Sequence, residues 1–95
     1  MNVAVELTER LIKLIDMLEL RLNIEYVLEE LDMVLYFSKA FLGLNHKVTK
    51  EAEEWYNFLW EKYNKNLGTA ISEEDSKKLV MKAKVWFNIV KRTLS

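Results

Sequence analysis

Thr49–Gly68 reads TKEAEEWYNFLWEKYNKNLG, and five of the chain's eleven aromatic residues fall in the nine positions from Trp55 to Tyr63. At about 100° per residue, Ala52, Trp55, Tyr56, Leu59, Trp60, Tyr63 and Leu67 share one arc roughly 140° wide. That arc is broader than a coiled-coil seam and predicts a helix touching several neighbours at once. Each aromatic side chain buries on the order of 150–250 Å², so this helix is expected to be the pillar of the core. Thr49 is the expected N-cap. Glu51, Glu53 and Glu54 follow where the helix dipole favours negative charge, and Lys62 and Lys65 sit at the other end. Asn66-Leu67-Gly68 is the expected stop.

Working toward the N-terminus, Leu44–Val48 reads as loop, and Gly43 supplies the left-handed residue that ends a preceding helix. Upstream of it lie two apolar stripes. Ala4, Leu7, Leu11, Leu14, Ile15, Leu18 and Leu22 share one face; Ile24, Val27, Leu28, Leu31, Val34, Leu35, Phe41 and Leu42 share another. The stripes fall out of phase around Arg21–Asn23. Unbroken, residues 3–42 would span roughly 60 Å at about 1.5 Å per residue. A globule of this length is about 25–30 Å across, which favours a turn near Asn23. No glycine or proline compels that turn, and a single long helix in an intertwined dimer is the alternative. Thr8 is a candidate cap for a later start of the first helix.

Toward the C-terminus, Ser72-Glu73-Glu74-Asp75 sets a hydroxyl cap before three acids, close to a capping box. A last helix follows over 73–93. Its core stripe is Leu79, Val80, Ala83, Trp86, Phe87, Val90 and Leu94. No stretch alternates with period two. The expected fold is all-α: one domain over 1–95, a small antiparallel bundle of four helices, or three if 3–42 is continuous.

Hydrophobic residues make up 51% of the 95-residue chain and charged residues 31%, a globular balance, and the net charge is −1. With no cysteine, disulfides, thiolate metal sites and cysteine nucleophiles are excluded. The absence of proline and glutamine with abundant Lys and Glu resembles the composition of a heat-adapted protein. The longest apolar run is five residues, Met33–Phe37, far short of a membrane span. No targeting peptide is visible, so the expected location is the cytoplasm.

Chemistry is scarce. His46 is the lone histidine and reads as a surface loop residue. Paired Glu-x-x-His motifs and H-E-x-x-H are absent. The carboxylate pairs Asp16/Glu19, Glu25/Glu29 and Glu51/Glu54 fall on polar faces rather than into one cavity. No phosphate loop or nucleophile elbow occurs. The chain is therefore read as non-enzymatic, with no cofactor and no metal.

What remains is apolar surface beyond one core face. Met81, Val85 and Ile89 form an i, i+4, i+8 line opposite the core stripe of the last helix. Tyr26, Met33 and Phe37, with Ala40, do the same on the second. Aligned rows mark interfaces more often than scattered apolar residues do. The favoured function is a small interaction module, self-associating or an accessory subunit of a larger complex. Charge is also segregated: residues 1–37 carry eight acids and three bases, residues 38–95 seven acids and eleven bases. The acidic half of one subunit facing the basic half of another would aid assembly. The alternative function is nucleic-acid binding through Lys77, Lys78, Lys82, Lys84, Lys91 and Arg92, whose signature is a steep loss of affinity with salt. Glu73, Glu74 and Asp75 at the start of that helix oppose it.

Overall fold

A computed structural model describes residues 2–94. Four helices follow one another, α1 (Val3–Glu19), α2 (Ile24–Leu42), α3 (Lys47–Tyr63) and α4 (Glu73–Leu94). They run alternately up and down in an antiparallel bundle about 38 Å long and 22–23 Å wide. The chain turns at residues 20–23, so the four-helix alternative holds.

Local chemistry accounts for each boundary. Asn2 caps α1, its side chain accepting from the Ala4 and Val5 amides at 3.0 and 3.2 Å. Thr8 is not a cap: it lies within α1 and donates to the Ala4 carbonyl at 2.9 Å. Arg21 takes a left-handed conformation, φ 51°, to reverse the chain. Gly43, at φ 94°, ends α2 as expected.

His46, not Thr49, caps α3. Its Nδ1 accepts from the Val48 amide at 3.0 Å, so the helix begins three residues earlier than the hydroxyl suggested. Thr49 is buried inside the helix, and its hydroxyl finds no partner among the described residues. Asn64 closes α3, its side-chain amide reaching the Trp60 carbonyl at 2.8 Å. Ser72 caps α4 through a 3.1 Å bond from the Asp75 amide.

Two non-local junctions hold the same end of the bundle. The Ile24 and Glu25 amides donate to the Thr69 and Leu67 carbonyls, at 2.8 and 3.1 Å. Arg21 donates through Nε and Nη2 to the Ile71 carbonyl, both at 3.2 Å. The loop between α3 and α4 thus satisfies the free amides that begin α2.

One connected core lies between the helices. Leu7, Leu11, Leu14 and Leu18 of α1 meet Val27, Leu31 and Val34 of α2 and Leu79, Ala83 and Val90 of α4, and Trp86 is the largest side chain fully enclosed. Backbones approach closely between α1 and α2, α1 and α4, and α2 and α3. The backbones of α3 and α4 stand further apart and are bridged by long side chains.

Two glycines separate backbone need from space. An added Cβ meets nothing within 4 Å at either Gly43 or Gly68, but Gly43 alone of the two has positive φ. Gly43→Ala is expected to cost about 1–2 kcal/mol. Gly68→Ala is expected to be neutral or to stabilise by up to about 1 kcal/mol. Urea unfolding of the two variants checks the pair. Thr49→Val, which replaces an unpaired buried hydroxyl by a methyl, should raise stability by about 0.5–1 kcal/mol in the same assay.

Candidate docking surface

The α3–α4 seam sets which side of α4 faces outward. Glu51 on α3 accepts from the Trp86 indole at 3.0 Å and from Lys82 at 3.0 Å. At the other end Asp75, itself buried, accepts from Tyr63 at 2.8 Å and Lys62 at 2.7 Å, and the Tyr63 hydroxyl accepts from the Ser72 amide at 3.0 Å. With Asp75, Lys82 and Trp86 committed to α3, and Leu79 and Ala83 to the core, Met81 and Val85 point to solvent.

These clamps shift the ionisation of their members. Burial works to raise the Asp75 carboxyl, but bonds from Lys62, Tyr63 and Ser72 outweigh it and hold the group below its ordinary 3.8. Burial likewise opposes the Trp86 and Lys82 bonds at Glu51, and the bonds prevail. The hydrogen bond to Asp75 raises the Lys62 ammonium.

Met81 is 71% exposed and Val85 46%, whereas Ile89 is partly buried against the core. The second row divides differently. Tyr26 is 50% exposed and Met33 partly buried, but Phe37 is 4% exposed and packs edge-on against Tyr36 at 5.0 Å. Phe37 therefore belongs to the core and drops out of the row; the α2 stripe wraps further round the helix than its spacing suggested because α2 is covered by both α1 and α3. The two rows do not merge. Tyr26 and Met33 line a groove between α1 and α2 with Arg10, Lys13 and Met17. Met81 lines another between α1 and α4 with Leu18, Glu19 and Val80. In the first groove Glu30 is buried, its Oε1 3.4 Å from Arg10 and 3.7 Å from Lys13.

Lys77, Lys78 and Lys82 on α4 are engaged by carboxylates. Lys77 pairs with Glu73, Lys78 with Glu74 and Lys82 with Glu51, each at 3.0 Å. Arg92 turns to the Asn88 carbonyl at 3.3 Å, and Lys84 and Lys91 lie on exposed positions. Among the described residues no three His, Cys, Asp or Glu converge as a metal-binding group, and no helix is long and apolar enough to cross a membrane.

Several exposed apolar residues lay outside the two rows. Trp60, placed by its arc in the core, is 48% exposed, and Phe58 sits at the edge of the α3–α4 seam. α3 buries a narrower stripe, Val48, Ala52, Leu59 and Tyr63, than its aromatic content promised. Trp60 lies on the flank of Glu53, which pairs with Lys39 of α2, at about 100° per residue nearly opposite Glu51 and the α4 seam. Val5 and Ile12, each 47% exposed on α1, are spaced i, i+7, a signal present in the sequence. The chain matches no protein-family model, no curated protein and no solved structure.

The buried Asp75 carboxylate makes stability depend on acid. A carboxyl held lower in the folded than in the unfolded chain contributes stability above its unfolded value, and that contribution fades as pH falls through the folded one. Stability should therefore decline below about pH 4. Asp75→Asn should lose about 1–3 kcal/mol at pH 7 and show a shallower decline. Urea unfolding at neutral and acid pH measures both; an unchanged acid decline in the variant would refute the role given to Asp75.

Proposed function

We propose that this chain is a small non-enzymatic interaction module, self-associating or an accessory subunit of a larger assembly. It docks through apolar side chains that its own bundle leaves outside. The observation that carries this reading is the row on α4: Met81 and Val85 stand in solvent while the opposite side of the same helix is filled by Leu79, Ala83, Trp86 and Val90. Single exposed apolar residues are ordinary. A row continuous with a groove floored by Leu18 and Val80 is the form an interface takes.

Burying Met81 and Val85 together is worth about 3–4 kcal/mol, or roughly two to three orders of magnitude in affinity. Met81→Glu with Val85→Glu should therefore weaken association by at least about a hundredfold. The circular dichroism and melting midpoint should stay close to those of the parent, because neither side chain contributes to the core. Sedimentation velocity across a concentration series reads the change. Association that survives both glutamates undiminished would remove this surface from consideration.

A further inference from the structure

Two charged strips lie side by side on the α1–α4 face. On α1, Arg10 and Lys13 turn toward α2 to meet Glu30. At about 100° per residue the other flank, toward α4, carries Val5, Ile12 and Glu19, with Glu9 and Asp16 on the crest. Glu19 indeed lines the α1–α4 groove. On α4, Asp75, Lys82 and Trp86 turn toward α3. The flank toward α1 therefore carries Glu73, Lys77, Val80 and Lys84, with Met81 on the crest. Glu73 and Lys77 line the groove, and beyond the first turn the charges on this flank are basic. The face is an acidic strip beside a basic strip, with exposed apolar residues between them. Glu9, Asp16 and Lys84 make no ion pair among the described residues, and the Lys77–Glu73 pair is an exposed i, i+4 contact of small worth.

We propose that the occupant of this face is a second copy of the chain, packed about a two-fold axis parallel to the helices so that α1 of each copy lies over α4 of the other. This rests on the docking reading of α4 given above and names its partner. A face can meet itself about a two-fold axis in two ways. An axis across the helices lays α1 on α1 and α4 on α4, acid on acid and base on base. An axis along them lays α1 on α4, and every contact is made twice in a closed, self-complementary pair. Opposed like charges penalise the first arrangement, and complementary charges favour the second.

The register follows from one bond inside the subunit. The Ser76 hydroxyl donates to the Leu18 carbonyl, which places Leu18 level with Ser76 in the antiparallel pair. Counting outward, Asp16 stands level with Lys77–Lys78 and Glu9 with Lys84–Val85, each to within about one residue. An axis along the helices preserves level. Asp16 then faces Lys77 of the other copy and Glu9 faces its Lys84, with Ile12, Val80 and Met81 enclosed between the two pairs. Two helices about 25 Å long set 8–10 Å apart offer a footprint of the order of a standard interface, about 800 Å² per partner.

Charge exchange tests the arrangement without touching the core. Glu9→Lys with Asp16→Lys makes both members of each proposed inter-copy pair basic; Lys77→Glu with Lys84→Glu makes both acidic. Each double variant alone is expected to self-associate at least about tenfold more weakly than the parent. An equimolar mixture should form a heterodimer of parental affinity, since all four inter-copy pairs are then complementary. Sedimentation equilibrium measures the affinities, and circular dichroism confirms that both variants are folded. A parent that stays monomeric at about 200 μM, above any affinity such an interface implies, overturns the second copy as occupant. A parent that dimerises while either variant dimerises equally well, or a mixture that does not recover, overturns this arrangement. In that case loss of dimer in the Met81→Glu, Val85→Glu variant would leave the docking role of α4 standing.

Discussion

The bundle depends on hydrogen bonds between its two end connections. Residues 20–23 must reverse the chain without glycine or proline, and Arg21 enters the left-handed region to do so. A side chain there costs about 1–2 kcal/mol. The reversal also leaves the first amides of α2 without helical partners. The α3–α4 loop compensates for both. Thr69 and Leu67 accept from the Ile24 and Glu25 amides, and the Arg21 guanidinium, carried to the loop by the strained backbone, grips the Ile71 carbonyl. The break in the first half of the chain is thus completed by carbonyls more than forty residues away.

The helices are unequally spaced. α1 packs closely on both α2 and α4, and α2 on α3. The remaining seam is closed by reach: Tyr63 and Lys62 to Asp75, Lys82 and Trp86 to Glu51. Such contacts are directional. They set the rotation of α4 about its own axis more sharply than apolar packing would, because a buried carboxylate that loses its donors is costly. A rotation that covered Met81 would pull Asp75 and Lys82 from their partners. The exposed row on α4 is a consequence of these polar bonds.

Helix number and most boundaries are legible in the sequence because they rest on neighbouring residues. Gly43 and the Ser72 cap act within one turn, and Leu7, Leu11, Leu14 and Leu18 of the α1 stripe read directly as its buried face, whereas Leu22 falls in the turn after α1 and is exposed. The turn at Arg21–Asn23 shows only as a change of phase, since its compensating bonds come from the far end of the chain. The start of α3 is displaced because an imidazole nitrogen can accept an amide as a hydroxyl does, and His46 stands nearer the loop than Thr49. On the surface, spacing identifies which residues lie opposite a core stripe but not how far neighbours wrap round the helix. That distinction separates Met81 from Phe37. The two belong to rows of similar pattern, yet α2 has close neighbours on two sides while one neighbour of α4 is held off.

A four-helix bundle of this length has little interior, so some apolar side chains must remain outside; what matters is which of them are accompanied by charges that can orient a partner. Tyr26 and Met33 are flanked by Arg10, Lys13 and Glu30, which already answer one another within the subunit. The surroundings of Ile12, Val80 and Met81 differ. Beyond the first turn of α4, acids stand on one helix and bases on the next, and among the described residues Glu9, Asp16 and Lys84 make no ion pair. Exposed charges add little to the stability of a monomer, so this segregation is not explained by folding. Charges at the rim of an interface choose orientation and partner more than they supply affinity, and the affinity must come from the apolar residues between them. The α1–α4 face combines both requirements on two adjacent antiparallel helices, and the Ser76–Leu18 bond holds those helices in the register that would bring acid opposite base.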